Sequence, residues 1–285
     1  MNALEENSKA RFAGQVAFIT GTSDQGIGGA VAETMAEAGA AVVLVTPDEP
    51  QRLIKRLRRA KRRFCWADCD ITKLDQVHKA IELGFDKFGK IDILVNNAGI
   101  EQARSIEMFE EEEWENILAV NLSGTIRVTR AALPYLAGRG VIINVSSALA
   151  LGGCPGYSVY SASKAGVDGF TQSLAWELAP RGIRVVGVAP GLVHTPMIHK
   201  HIQHLTSEVQ ACINACHPLG MGMPGDVAPV IAFLASNEAR WITGVTIPVG
   251  WSYGYPLPVS RLMTESREVE SRAPAGKSQQ GRENR

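Results

Sequence analysis

Three residues near the middle of the chain have the types and spacing for proton transfer. Tyr160 and Lys164 stand four apart where a helical pattern begins (Ala165, Val167, Phe170, Leu174), so they share one helix face. An ammonium beside a phenol favours the phenolate and draws its pKa down from about 10. A tyrosine tuned in this way can serve as a general acid or base near neutrality. A Tyr-x3-Lys pair is also common on solvated helix faces. What favours chemistry is Ser147, which ends the apolar run Val141–Val145 and precedes Tyr160 by thirteen residues.

Two further segments have the composition of a nucleotide site. Thr20-Gly21-Thr22-Ser23-Asp24-Gln25-Gly26-Ile27-Gly28 links an apolar run to a helical pattern (Ala30, Val31, Met35, Ala36). Glycines at such a turn let the backbone approach a pyrophosphate, whose charge the free N–H groups of a helix N-terminus hold. A tight β–α packing turn would use the same residues. Asn96-Asn97-Ala98-Gly99 follows Ile93-Leu94-Val95, and its small residues would let a ribose or adenine lie against a strand end. An ordinary Asn/Gly turn is the alternative.

Elements that could position these groups alternate along the chain. Short β-branched runs at Val16–Thr20, Ala41–Val45, Phe64–Ala67, Ile91–Val95, Val141–Val145, Ile183–Val188 and Val245–Val249 are separated by segments of helical period. Several runs are apolar throughout, as strands covered by helices on both faces should be. The pattern predicts an α/β fold of Rossmann type: a doubly wound, parallel, seven-stranded sheet flanked by helices, in a single domain. Loops after its strands gather along one edge, where such folds bind ligands. We read 1–12 as a flexible N-terminus, 13–257 as the dinucleotide-binding domain and 258–285 as a polar, disordered tail.

Composition excludes some partners. Of 285 residues, 45% are hydrophobic, and Lys+Arg and Asp+Glu are both 29, so net charge points neither to nucleic acid nor to an anionic surface. No stretch approaches the roughly 20 apolar residues of a membrane helix, and MNALEENSKARF does not read as a secretory signal. Five cysteines without a disulfide-like framework suit the reducing cytoplasm. Arg52–Arg63 could bind nucleic acid, but Leu53, Ile54, Leu57 and Ala60 recur at helical spacing, so a helix with a basic solvent face is the simpler reading. Glu110–Glu113 suits the first turn of a helix and needs no further role.

Five of the six histidines (His194, His199, His201, His204, His217) fall in one stretch, with Cys212 and Cys216. Their spacing fits no common zinc pattern, so no metal is expected. Solvated surface histidines are the plain reading, and contact with a polar or anionic substrate is the other.

Taken in order, Thr-Gly…Gly-Ile-Gly, Asn-Asn-Ala-Gly, Asn121, Ser147, Tyr160-x3-Lys164 and Pro190-Gly191 resemble the short-chain dehydrogenase/reductase family over roughly residues 12 to 255, with likeness to 3-oxoacyl-acyl-carrier-protein reductases and to glucose- or alcohol-type dehydrogenases. The resemblance implies that NAD or NADP exchanges a hydride with a carbonyl or secondary alcohol. Tyr160 would be the acid/base, and Ser147 would hold the substrate oxygen. Lys164 would tune the tyrosine and bind the nicotinamide ribose, and Asn121 would hold a water leading to Lys164. Cofactor contacts would come from Gly21, Thr22, Ser23, Gly26, Ile27, Gly28, Thr46, Asp70, Ile71, Asn97, Ala98, Gly99, Tyr160, Lys164, Pro190, Gly191, Val193 and Thr195. A homo-oligomer, dimer or tetramer, would form through the apolar faces of Val159–Leu178 and Trp114–Leu133.

The chain departs from the family pattern in two places. Four residues rather than three separate the first two glycines, which puts Asp24 near the expected phosphates, and Val249-Gly250-Trp251 lacks an aspartate. These departures support an alternative: a non-catalytic dinucleotide-binding or regulatory protein on the same fold. The second strand ends in Val45-Thr46-Pro47 without the acid that would repel a 2′-phosphate, which favours NADP over NAD.

Overall fold

The computed structural model describes residues 11–198, 207, 211, 217 and 219–250. The expected tail, the first ten residues, His199, His201, His204, Cys212, Cys216 and Trp251 lie outside the described residues. Seven parallel strands form one sheet in the order β3-β2-β1-β4-β5-β6-β7. They are β1 Val16–Thr20, β2 Ala41–Val45, β3 Phe64–Ala67, β4 Ile91–Asn96, β5 Leu136–Val145, β6 Arg184–Pro190 and β7 Thr246–Val249.

The apolar strand sequences follow from this covering. In β1, Ala17 and Ile19 enter one core while Val16 and Phe18 enter the other, so each face of the pleat is dry. Helices α1 (Ile27–Glu37), α2 (Gln51–Arg59) and α8 (Pro224–Ala235) supply the first core with Val31, Leu53, Leu57 and Ile231. Helices α3 (Leu74–Phe88), α5 (Thr125–Ala132) and α7 (Ser158–Leu178), the last preceded by the short α6 (Leu149–Gly152), supply the second with Val77, Ile81, Val128 and Leu174. Helix α3 ends where Gly89 takes a left-handed conformation, φ 79°, that a side chain would resist. The basic run is the expected amphipathic helix, with Leu53, Ile54 and Leu57 buried, although Ala60 lies beyond its last turn and is exposed.

Two stretches differ from expectation. Strand β5 begins at Leu136 rather than Val141, because Leu136 pairs with Ile91 across a register shift before the regular ladder resumes. The single helix expected around Trp114–Leu133 is α4 (Glu111–Leu118) and α5 joined by a π-helical turn, Ala119–Gly124, that contains the buried Asn121. A π turn accommodates one extra residue without breaking the helix, so the apolar period alone does not reveal it.

Polar side chains also cross the interior. Asn96 Nδ2 donates to Thr129 Oγ1 and to Asn144 Oδ1, each at 2.9 Å, and Asn144 Nδ2 donates to Thr171 Oγ1 at 2.9 Å. This chain of bonds links β4 and β5 to the helices on one face, and every member is buried. Removing one member strands its partners without water. Asn144→Ala is therefore expected to cost about 2–3 kcal/mol in urea unfolding, with the m-value unchanged.

Candidate active site

Strand order reverses between β1 and β4, and the loops leaving these two strands meet there. The Thr20 hydroxyl oxygen accepts the backbone N–H groups of Asn97 (3.0 Å) and Ala98 (3.1 Å). Asn97 Nδ2 in turn donates to the carbonyls of Thr20 and Gly21, each at 3.0 Å. Asn97 therefore braces the glycine loop. Gly28 is a packing glycine, since a Cβ there would stand 2.5 Å from Gly21 O and Asn97 Nδ2.

The extra residue of the glycine loop turns away from the expected phosphates. Asp24 Oδ1 accepts the Leu53 N–H at 2.8 Å and so satisfies an open donor in the first turn of α2. Arg56, on the same helix, pairs with Glu33 at 2.6 Å. Helix α1 begins at Gly26 with no side-chain cap and no acid in its first turn. Its leading N–H groups therefore suit an anion.

One cavity of about 470 Å³ runs from this helix end to Tyr160. Of the expected cofactor residues, Gly21, Ser23, Gly26, Ile27, Thr46, Asn97, Ala98, Gly99, Tyr160, Lys164, Pro190, Gly191, Val193 and Thr195 line it. Thr22 is buried beneath the loop, and Gly28 packs as described. Asp70 and Ile71 lie outside the cavity wall. Asp70 Oδ1 accepts Thr72 N–H at 2.8 Å, and Ile71 fills the space beside Gly124.

The expected catalytic residues converge at the other end. Ser147 lies two residues beyond the end of β5, with its hydroxyl turned toward the Tyr160 phenol. Lys164 lies one turn beyond Tyr160, its Nζ 5.9 Å from the tyrosine ring centre and donating to Val145 O at 2.9 Å. Asn121 makes three side-chain bonds: Oδ1 accepts Ile100 N–H at 2.8 Å, and Nδ2 donates to Ile100 O at 2.9 Å and to Ser163 Oγ at 3.0 Å. The Asn121 amide thus clamps Ile100 and Ser163 together.

The electrostatics differ from the sequence expectation. Burial pushes the Tyr160 phenol up, the Ser147 hydrogen bond opposes that rise, and Glu101 and Tyr157 add to it. Lys164 does not overcome the loss of water. Its ammonium is itself buried and pushed down to about 8, with Asp168 opposing. For both groups loss of water is the largest cause of the shift.

Several residues of the site carried no signal in the sequence. Glu101 and Tyr157 line the cavity, and burial pushes the Glu101 carboxyl up to about 7. His217, read as a surface histidine, is 6% exposed, and its Nε2 accepts the Leu192 N–H at 2.9 Å. It therefore braces the Pro190–Val193 loop, a contact between residues 25 apart that only folding makes. Glu113 does more than complement a helix dipole, since it also binds Gln102 at 2.9 Å and Arg104 at 2.7 Å.

A family model described as "Enoyl-(Acyl carrier protein) reductase" matches residues 21–251. The chain is 38% identical over 244 residues to the 3-oxoacyl-(acyl-carrier-protein) reductase FabG of Thermotoga maritima, covering 84% of this chain and 97% of that protein. It is 38% identical over 247 residues to the cis-4-hydroxycyclohexanecarboxylate dehydrogenase of Sinomonas cyclohexanicum, covering 85% and 97%. A solved short-chain dehydrogenase/reductase from Brucella melitensis, described as SDR:Glucose/ribitol dehydrogenase, superposes with a TM-score of 0.77 at 32% identity, covering 85% of this chain and 97% of that one.

The half-buried Glu101 makes stability depend on pH. Its folded pKa lies above the ordinary 4.5, so the folded state holds the proton more tightly and loses stability as pH rises from about 4.5 to about 7. Glu101→Gln removes this penalty. Thermal unfolding should show the variant gaining in Tm over the wild type at pH 8 and gaining less at pH 5.

Proposed function

The chain belongs to the short-chain dehydrogenase/reductase family, and from that premise we propose that its cavity holds a nicotinamide dinucleotide beside a carbonyl or alcohol on which Tyr160 acts as acid/base. The protein is an NAD(P)-dependent oxidoreductase of carbonyl and alcohol groups. The observation that carries the site assignment is the continuity of one cavity from the capless α1 N-terminus to Ser147, Tyr160 and Lys164. Asp24, which had argued for a protein that only binds, is occupied at α2.

The dinucleotide supplies or accepts the hydride when bound. In reduction Tyr160 gives its proton to the carbonyl oxygen, and in oxidation it takes the hydroxyl proton. Ser147, its hydroxyl turned toward the phenol, orients the same oxygen. Lys164 favours the phenolate and holds the ribose near Gly99, where a Cβ would stand 3.3 Å from its Nζ. Asn121 keeps Ile100 and α7 in register around these groups. Thr46 lines the far end of the cavity as a neutral residue, while Asp48 is exposed and outside it, which supports NADP as the preferred cofactor.

A homo-oligomer, dimer or tetramer, is the proposed assembly. It is supported by Trp176, 84% exposed on α7, and Ile126, exposed on α5. Among the described residues no helix is long and apolar enough to cross a membrane. The buried free thiols Cys65 and Cys69 support a cytoplasmic location.

Nicotinamide fluorescence should show tighter binding of NADPH than of NADH. Tyr160→Phe should retain that binding and lose at least about a thousandfold in turnover, in line with the 10²–10⁴-fold that a positioned acid/base contributes. A phenol that burial keeps protonated must ionise before it accepts a proton. Alcohol oxidation should therefore climb with pH from neutrality upward, while carbonyl reduction should hold its rate up to at least about pH 10, because the phenol keeps its proton to beyond that point. Light scattering should show a dimer or tetramer, and Trp176→Asp should yield a smaller species. A wild-type monomer at micromolar concentration would refute the assembly.

A further inference from the structure

The loop between β1 and α1 holds four residues between its first two glycines, and a longer loop has more freedom to lose when it closes on a ligand. Here that freedom is removed from two sides. On the inner side, Ser23 nests against Gly26 and Gly29, where an added Cβ would meet its hydroxyl or its carbonyl oxygen. On the outer side, Asp24 Oδ1 accepts the Leu53 N–H at 2.8 Å, and Arg56 Nη2 reaches the Asp24 carbonyl at 3.5 Å. Arg56 Nε also donates to Glu33 of α1 at 2.6 Å. Loop, α1 and α2 are thus joined in a closed triangle of polar contacts.

The anchor point is itself fixed. Helix α2 opens at Pro50, which offers no capping side chain, and its first turn contains no acid. Asp24 takes the place of that cap, bonding the N–H of the third helical residue from a different element. The Leu53 side chain is fully buried in the core beneath, so its backbone gives the loop a rigid hold. Gly21, Ser23, Gly26 and Ile27 line the cavity on the loop side, and Thr46 lines it just before the turn that leads into α2. Asp24 does not line the cavity.

We propose that Asp24 is a positioning residue for the dinucleotide: by tying the glycine loop to α2, it makes the α1 N-terminus and the Thr46 end of the cavity one preformed cradle for pyrophosphate and adenosine. The assignment rests on the reading of the cavity as the dinucleotide site. A preformed loop binds without the entropic cost of ordering at the moment of contact. The carboxylate acts through the backbone it holds and makes no contact with the cofactor.

The test compares the full-length wild type with Asp24→Ala and Asp24→Asn, titrated with NADPH and with NADH by nicotinamide fluorescence. Asp24→Ala should raise Kd for both by about tenfold, the scale of one hydrogen bond to a charged group. Asp24→Asn, which keeps the acceptor oxygen and loses the charge, should recover most of that affinity. Turnover at saturating cofactor should stay near the wild-type value in both variants, so that the change falls on KM for the cofactor. Hydrogen exchange of the cofactor-free protein should show the amides of 22–29 opening faster in Asp24→Ala than in the wild type. Unchanged Kd or unchanged exchange in Asp24→Ala, or a loss confined to kcat, would overturn the role of Asp24. Tighter NADPH binding in both variants with NADH unmoved would also overturn it, because the carboxylate would then be opposing the 2′-phosphate by its charge. A wild type that binds neither dinucleotide would instead overturn the underlying reading of the cavity.

Discussion

Two loops from non-consecutive strands are joined by a single threonine hydroxyl and a single asparagine amide. Thr20 accepts the N–H groups that open the loop after β4, and Asn97 donates back to the loop after β1. Four bonds of 3.0–3.1 Å thus close the point where the strand order reverses. The α1 N-terminus, the Gly99 backbone and everything downstream toward Ile100 take their places from this junction. Each bond pairs one side-chain group with one backbone group, so the two side chains satisfy main-chain donors and acceptors that the loops leave open beside the sheet.

From that junction the structure extends its rigidity by polar clamps rather than by packing alone. Asn121 fixes Ile100 from a π turn, and the Asn96–Asn144–Thr171 chain fixes β4 and β5 against α7. His217 fixes the loop after β6. Each clamp is a polar group withdrawn from water, so it tolerates little displacement before its bonds are lost. Such clamps hold the residues around the cavity within a narrow positional tolerance. They also explain why buried polar residues gather on the cavity side of a sheet whose remaining interior is aliphatic.

The same dryness sets the charge states. Tyr160 is pushed up and Lys164 down, each by its own burial, and Asp168 is raised for the same reason. Pairwise reasoning from the spacing of Tyr160 and Lys164 counted the attraction and omitted the loss of solvent. In the folded protein, burial makes the Tyr160 phenol hold its proton more firmly than it would in water. Glu101 adds negative charge on the same side and strengthens that bias.

Period and punctuation alone determined a great deal. Uniformly apolar runs separated by helical segments specified a parallel sheet covered on both faces. Tyr160, Lys164, Ser147 and the glycine loop stood out because each lies at a strand or helix end, where backbone geometry ties neighbours in sequence to neighbours in space. Other features came only with the tertiary structure. Asp24 next to the glycines looked like a phosphate neighbour until α2 was seen to present Leu53 N–H to it. His217 looked like a surface residue until the loop after β6 was seen to return to it. Glu101 and Tyr157 had no pattern at all. Their roles depend on contacts between residues far apart in the chain, and on how much water those contacts exclude, and neither is encoded in local spacing.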